Sequence, residues 1–217
     1  MALRGTLGLL LVWLPFATVH AEGHQLVERW REAEFTPRKF SKVIVLAVTD
    51  DRQLRKTFEN RFVSHLRGQQ IECTTSYAIA PDLTGIDEAE RRVIVDTVEA
   101  EKIDGVIAIR AVPLIGLDEQ QWAEQWRERI NRRQSLAETI EQSLPLAETK
   151  AKRYGIEVEL WAVPDAGRVW AARTNPYTRD EMRKGAAEFV QFTLYALDIE
   201  DLMKRGAAAG EDSNAKP

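Results

Sequence analysis

The apolar run KVIVLAV at 42–48 is followed by two adjacent carboxylates, Asp50 and Asp51, and then by a charged, periodic segment, RQLRKTFENRF. Paired acids at the carboxyl end of a buried strand are the arrangement in which a phosphorylatable receiver domain holds a metal ion. That chemistry also needs a phosphate-accepting aspartate at the end of the third strand. The corresponding segment here is DGVIAIRAVPL, and Arg110 and Ala111 stand where the carboxylate is required. A guanidinium at that point neutralises a metal site. The acids have a structural use instead, because a carboxylate at a helix N-terminus accepts backbone N–H bonds and opposes the macrodipole. Ligands of open α/β sheets bind outside the carboxyl ends of the strands. By that rule Asp50, Arg55, Tyr77 and Arg110 are the candidate ligand contacts.

Other reactive combinations are missing from the sequence. The first strand-to-helix turn has no glycine, so neither a dinucleotide fingerprint nor a P-loop is present. No G-x-S-x-G elbow occurs. Beyond residue 21 the histidines are His24 and His65, and Cys73 is the single cysteine, so no transition-metal set is spaced for ligation. Cys73 alternates with its neighbours as a buried strand residue does. No catalytic residue, metal ligand or cofactor is assigned.

The tryptophans offer binding chemistry of another kind. GIEVELWAV at 155–163 alternates strictly, PDAG at 164–167 is a turn, and RVWAARTN at 168–175 runs back, which reads as a β-hairpin. A four-residue loop sets Trp161 opposite Trp170, on the face that carries Glu157 and Glu159 and away from the core. Trp122 and Trp126 lie one turn apart on the preceding helical segment. These four side chains are the candidate interaction surface, either covering one another or offered to a partner.

The positioning elements follow from periodicity. The 42–48 run is apolar throughout, as a strand covered on both faces is. Thr49 or Asp50 caps the next helix, whose stripe is Leu54, Phe58, Phe62 and Leu66, with Gly68 as its stop. Residues 71–77 form a second strand. Asp87 with Glu90 makes a capping box, Ile86 staples the entry, and Val93, Ile94 and Val98 supply that helix's buried face. Residues 105–112 form a third strand. A helix over 118–143, capped by Asp118 and striped by Trp122, Trp126, Ile130, Ala137, Ile140 and Leu144, precedes the hairpin. Thr178 with Glu181 opens a last helix to about Met203, with Met182, Ala186, Phe189, Val190, Thr193 and Leu197 inward. The expected architecture is a two- or three-layer α/β sandwich. Its β-α-β-α-β core has parallel strands and is extended by the antiparallel hairpin and the final helix.

The 217 residues suffice for one packed domain. A formal net charge of −4 offers no concentrated basic face for nucleic acid. Arg4, the apolar stretch TLGLLLVWLPFATV and the small-residue pattern VHA at 19–21 read as a signal peptide cleaved after Ala21. The organisation is then a leader over 1–21, a segment over 22–41 that packs on the core through Trp30 and Phe40, and a single domain over 42–203. That domain carries a helical insertion at 117–150, and a disordered tail follows at 204–217. The expected location is periplasmic or secreted. Residue 22 is Glu22 where lipidation requires cysteine, so no stable membrane anchor is expected after cleavage.

Trp30, Thr49-Asp50, Arg55, Phe58-Glu59 and the strand ending in Ser76-Tyr77 together resemble the opening of a family of uncharacterised bacterial secreted proteins and lipoproteins. KIDGVIAIR and ELWAVPDAGRVWAARTN fit the same pattern, and only 114–150 falls outside it. The family is similar in layout to penicillin-binding-protein activator lipoproteins, curli-secretion lipoproteins and the N-terminal domain of the Tol–Pal translocation protein. The resemblance implies an assembly or binding role without known catalytic residues. The expectation is an exported, non-catalytic accessory module that contacts an envelope protein. The alternative is an enzyme or small-ligand-binding protein with its pocket at the carboxyl ends of strands 42–48 and 105–112.

Overall fold

The computed structural model describes residues 25–203 other than 50, 82–87, 133–134, 137, 139–150 and 164–166. The leader, the capping box at Asp87 and the C-terminal tail lie outside the described residues. Six strands form one mixed sheet: β1 (Leu26–Arg31), β2 (Lys42–Val48), β3 (Glu72–Thr75), β4 (Gly105–Pro113), β5 (Tyr154–Ala162) and β6 (Gly167–Thr174). Their spatial order is β1-β6-β5-β4-β2-β3. β3, β2 and β4 are parallel, and β5, β6 and β1 continue the sheet antiparallel. The helices are α1 (Arg52–Gly68), the single turn α2 (Ser76–Ile79), α3 (Glu88–Ala100), α4 (Glu119–Asn131) and α5 (Arg179–Ile199). No helix among the described residues is long and apolar enough to cross a membrane.

β3 and β4 flank β2 on opposite sides, so right-handed crossovers send α1 and α3 to opposite faces. The packing agrees. Leu54, Phe58, Phe62 and Leu66 of α1 share a core with Val43, Val45, Ile107 and Ile109. Ile94 and Val98 of α3 lie with Ile44, Leu46, Val106 and Ala108. α5 joins α1, with Phe58 and Phe189 edge-to-face at 5.3 Å. α4 covers the remainder of the α3 face through Trp126 and Ile130 on Ala171. The molecule is a three-layer α/β/α sandwich.

Several boundaries differ from expectation, each for a local reason. Residues 26–31, within the segment expected only to pack on the core, form the edge strand β1; LVERWR alternates in burial as an edge strand does. The α1 cap is Asp51, whose Oδ1 accepts the N–H groups of Gln53 and Leu54 at 3.0 and 3.1 Å. Gly68 ends α1 but does not turn the chain; Gln70 does, at φ +62. β3 stops at Thr75, and Ser76-Tyr77 opens a helical turn. Val93 is half exposed rather than inward. α4 ends at Asn131 instead of 143, and Ala137, Ile140 and Leu144 lie outside the described residues.

The hairpin register is the largest correction. Ala162 pairs with Gly167 and Trp161 with Arg168, but Leu160 pairs with Trp170, so Val169 is bulged. One extra residue transfers everything beyond it to the other face of the sheet. Trp170 therefore sits with Leu160 in the α1/α5 core, and Trp161 sits with Ile44 and Val106 on the opposite side.

β4 and β5 pair from Gly105↔Ala162 to Pro113↔Tyr154, and Leu114 N–H donates to Arg153 O at 2.9 Å. Residues 114–153 thus leave and re-enter the sheet at one point. α4, within this excursion, rests on Gly155: a Cβ there would lie 2.0 Å from Trp122 Cζ2. Gly155→Ala should lower stability by about 1–3 kcal/mol through overpacking and red-shift tryptophan emission. Adding Trp122→Leu should be clearly sub-additive in a denaturant double-mutant cycle. Strict additivity would mean that the two residues do not bear on each other.

Candidate interaction surface and buried polar networks

Of the candidate ligand residues that are described, Arg55 and Tyr77 do not converge with Arg110. β3 pairs with β2 only as far as Val45, and beyond that point Glu59 takes the place of a strand. Its Oε1 accepts Ala47 N–H at 3.0 Å, Ser76 Oγ–H at 2.7 Å and Arg55 Nε–H at 3.1 Å. Its Oε2 accepts Tyr77 N–H at 3.1 Å. Arg55 Nη2 donates to Ser76 Oγ and to Ala80 O at 2.9 and 3.0 Å. Glu59 and Ser76 are fully buried, and Arg55 is 3% exposed. Arg55 and Tyr77 come together, but as supports for the end of β3. The Tyr77 hydroxyl donates to Asn60. Asp50 lies outside the described residues.

Arg110 points to the other face of the sheet, beneath α4. It donates to Glu157 Oε2 at 2.7 Å and Glu159 Oε1 at 3.0 Å on the neighbouring strand. Arg129 of α4 pairs with Glu157, and Trp122 Nε1–H donates to the same carboxylate at 3.3 Å. Trp161 Nε1–H donates to Glu159 at 3.0 Å. Arg168 lies 3.5 Å from Glu159 and donates through Nη2 to the carbonyls of Arg129, Ile130 and Arg132, the open C-terminus of α4. Its guanidinium also lies 5.6 Å from the ring centroids of Trp30 and Trp161. Three guanidiniums thus meet two carboxylates, and the third is held by helix carbonyls and ring faces. At the sheet edge, Arg127 of α4 and Arg173 of β6 both bind Glu28 of β1.

The four tryptophans are interior, at 0–2% exposure, so of the two alternatives they are covered and not offered to a partner. Trp170 Nε1–H donates to Glu200 at 3.1 Å. The exposed large apolar side chains gather elsewhere. Of six among the described residues, Phe192, Tyr195 and Ile199 stand on the outward face of α5, 40%, 63% and 60% exposed. Their spacing of three and four places them in one row. This row was overlooked in the sequence because the inward stripe through Phe189, Thr193 and Leu197 had accounted for the helix. The signal was a second apolar row at helical spacing.

Burial pushes the Glu157 carboxyl upward, but the charges of Arg110 and Arg129 and the Trp122 and Arg129 hydrogen bonds outweigh it, leaving it below the ordinary 4.5. A carboxyl held low in the fold adds stability above its ordinary value, and that stability is lost as pH falls through the folded value. Glu157→Gln should cost about 3–5 kcal/mol at neutral pH. It should also flatten the decline in stability below pH 4.5, read by denaturant titration. An unchanged acid limb in the variant would contradict this assignment.

No protein-family model and no curated protein matches the chain. Solved structures similar to it include two of PelC. One is the PelC dodecamer from Paraburkholderia phytofirmans, 12% identical with a TM-score of 0.39. The other is a point variant of the same dodecamer in a second crystal form, 10% identical with a TM-score of 0.40. Each match covers 82% of this chain and 99% of the PelC chain.

Proposed function

We propose that this chain is an exported accessory module of the bacterial cell envelope that acts by contacting another protein, with the outward face of α5 as its contact surface. The carrying observation is the exposed row Phe192, Tyr195, Ile199 on a helix whose opposite side is fully packed. Three large apolar side chains in one row are the kind of patch that a partner covers. The leader-like residues 1–21 support export. The pocket alternative is weakened by the geometry of its own residues: Arg55 is spent on Glu59, Ser76 and Ala80, and Arg110 is turned to the opposite face onto Glu157 and Glu159.

The test is in-cell crosslinking of the envelope, comparing wild type with Tyr195→Ser/Ile199→Ser. Both positions are exposed, so melting temperature should stay within a few degrees. Loss of a specific crosslinked species in the variant is the expected result. An unchanged crosslink pattern would sink this surface.

A further inference from the structure

We infer that the segment received by the α5 row is basic and amphipathic, an inference that rests on reading α5 as the contact surface. The apolar row is bordered by acids. Glu188 lies one turn before Phe192, Asp198 lies beside Ile199, and Asp201 follows the helix, all three exposed. The last turn of α5 carries no basic residue. The C-terminus of a helix favours cations, so an acid there costs the isolated helix stability. The carbonyl end of the helix is itself met by Arg31, whose Nη1 donates to Glu200 O at 2.9 Å, and Arg29 pairs with the Glu200 carboxylate. The negative field around Tyr195 and Ile199 is therefore made by the exposed acids on the outward arc. Lys184, two turns before Phe192, is the cation on the same outward arc.

That field selects among occupants. An anionic lipid surface or a nucleic acid meets like charge. A second copy fares little better. A two-fold antiparallel pairing centred between Phe192 and Tyr195 brings Glu188 of one copy beside Asp198 and Ile199 of the other, acid against acid. A segment with apolar residues at helical spacing and lysines or arginines on its flanks satisfies both the row and its border. This is the helix-on-helix mode of recognition, with apolar anchors at i, i+3 and i+7.

The probe is a synthetic leucine–lysine peptide with leucines at i, i+3, i+4 and i+7, paired with a leucine–glutamate analogue. Binding to the purified protein is read by fluorescence anisotropy. The lysine peptide should bind, and its affinity should fall about tenfold or more when salt rises from low to several times physiological strength. Tyr195→Ser/Ile199→Ser should weaken it by a similar factor. Glu188→Lys/Asp198→Lys should move the preference to the glutamate peptide. Equal binding of both peptides, or wild-type binding by the Tyr195→Ser/Ile199→Ser variant, would overturn the inference. So would a dimer in light scattering that the same variant converts to monomer, since a second copy would then occupy the row. If the peptide arm fails while cellular crosslinks still depend on Tyr195 and Ile199, the partner chemistry is wrong and the contact surface stands. If those crosslinks do not depend on them, the surface itself is wrong.

Discussion

Glu157 and Glu159 point from the middle of the sheet into a layer from which water is excluded, at 0% and 1% exposure. Two carboxyl groups in such a place must be matched or the fold is lost. The match comes from three directions: Arg110 on the adjacent strand, Arg129 on the helix above, and Arg168 on the returning strand of the hairpin. Two of these also fix something else. Arg129 locks the end of α4, Arg168 closes its open carbonyls, and the Trp122 and Trp161 indoles turn their N–H groups to the same carboxylates. The helix sits where it does because the glutamates require it, and Gly155 is the floor that lets it come close enough.

A smaller version of the same logic operates at the far edge. Strand β3 is four residues long, and the sheet would end there with unpaired backbone. Glu59 accepts from both β2 and the α2 turn, while Arg55 and Ser76 complete its shell. The Arg55, Glu59, Ser76 and Tyr77 positions that suggested a family pattern in the sequence are therefore one cluster. Its role in this fold is to finish a short edge strand.

The parallel half of the fold was legible because its strands are buried on both faces and its helix α1 keeps a strict four-residue rhythm; Leu54, Phe58, Phe62 and Leu66 all lie inward as read. The Asp118 cap and the capping box at Thr178 were also readable. What failed depends on information that local periodicity does not carry. The bulge at Val169 is invisible to an alternating pattern, and it alone reversed the assignment of Trp170. Arg110 reads as a ligand contact at a strand end because its two partners lie 47 and 49 residues away. The outward row of α5 is written in the helix itself, as a second apolar row at helical spacing beside the inward stripe.

The excursion between Leu114 and Arg153 has a bearing on how such chains diverge. Its two ends meet across a single hydrogen bond at the end of an intact strand pair. A tight turn would close the same hairpin, and lengthening a closed loop costs only logarithmically. Length in this region is therefore nearly free for the sheet, but composition is not. A chain that drops the helix uncovers Glu157 and Glu159 and strips Arg168 of its carbonyl partners. Relatives without the excursion should accordingly carry different residues at those three positions, so that presence of the helix and charge beneath it are inherited together.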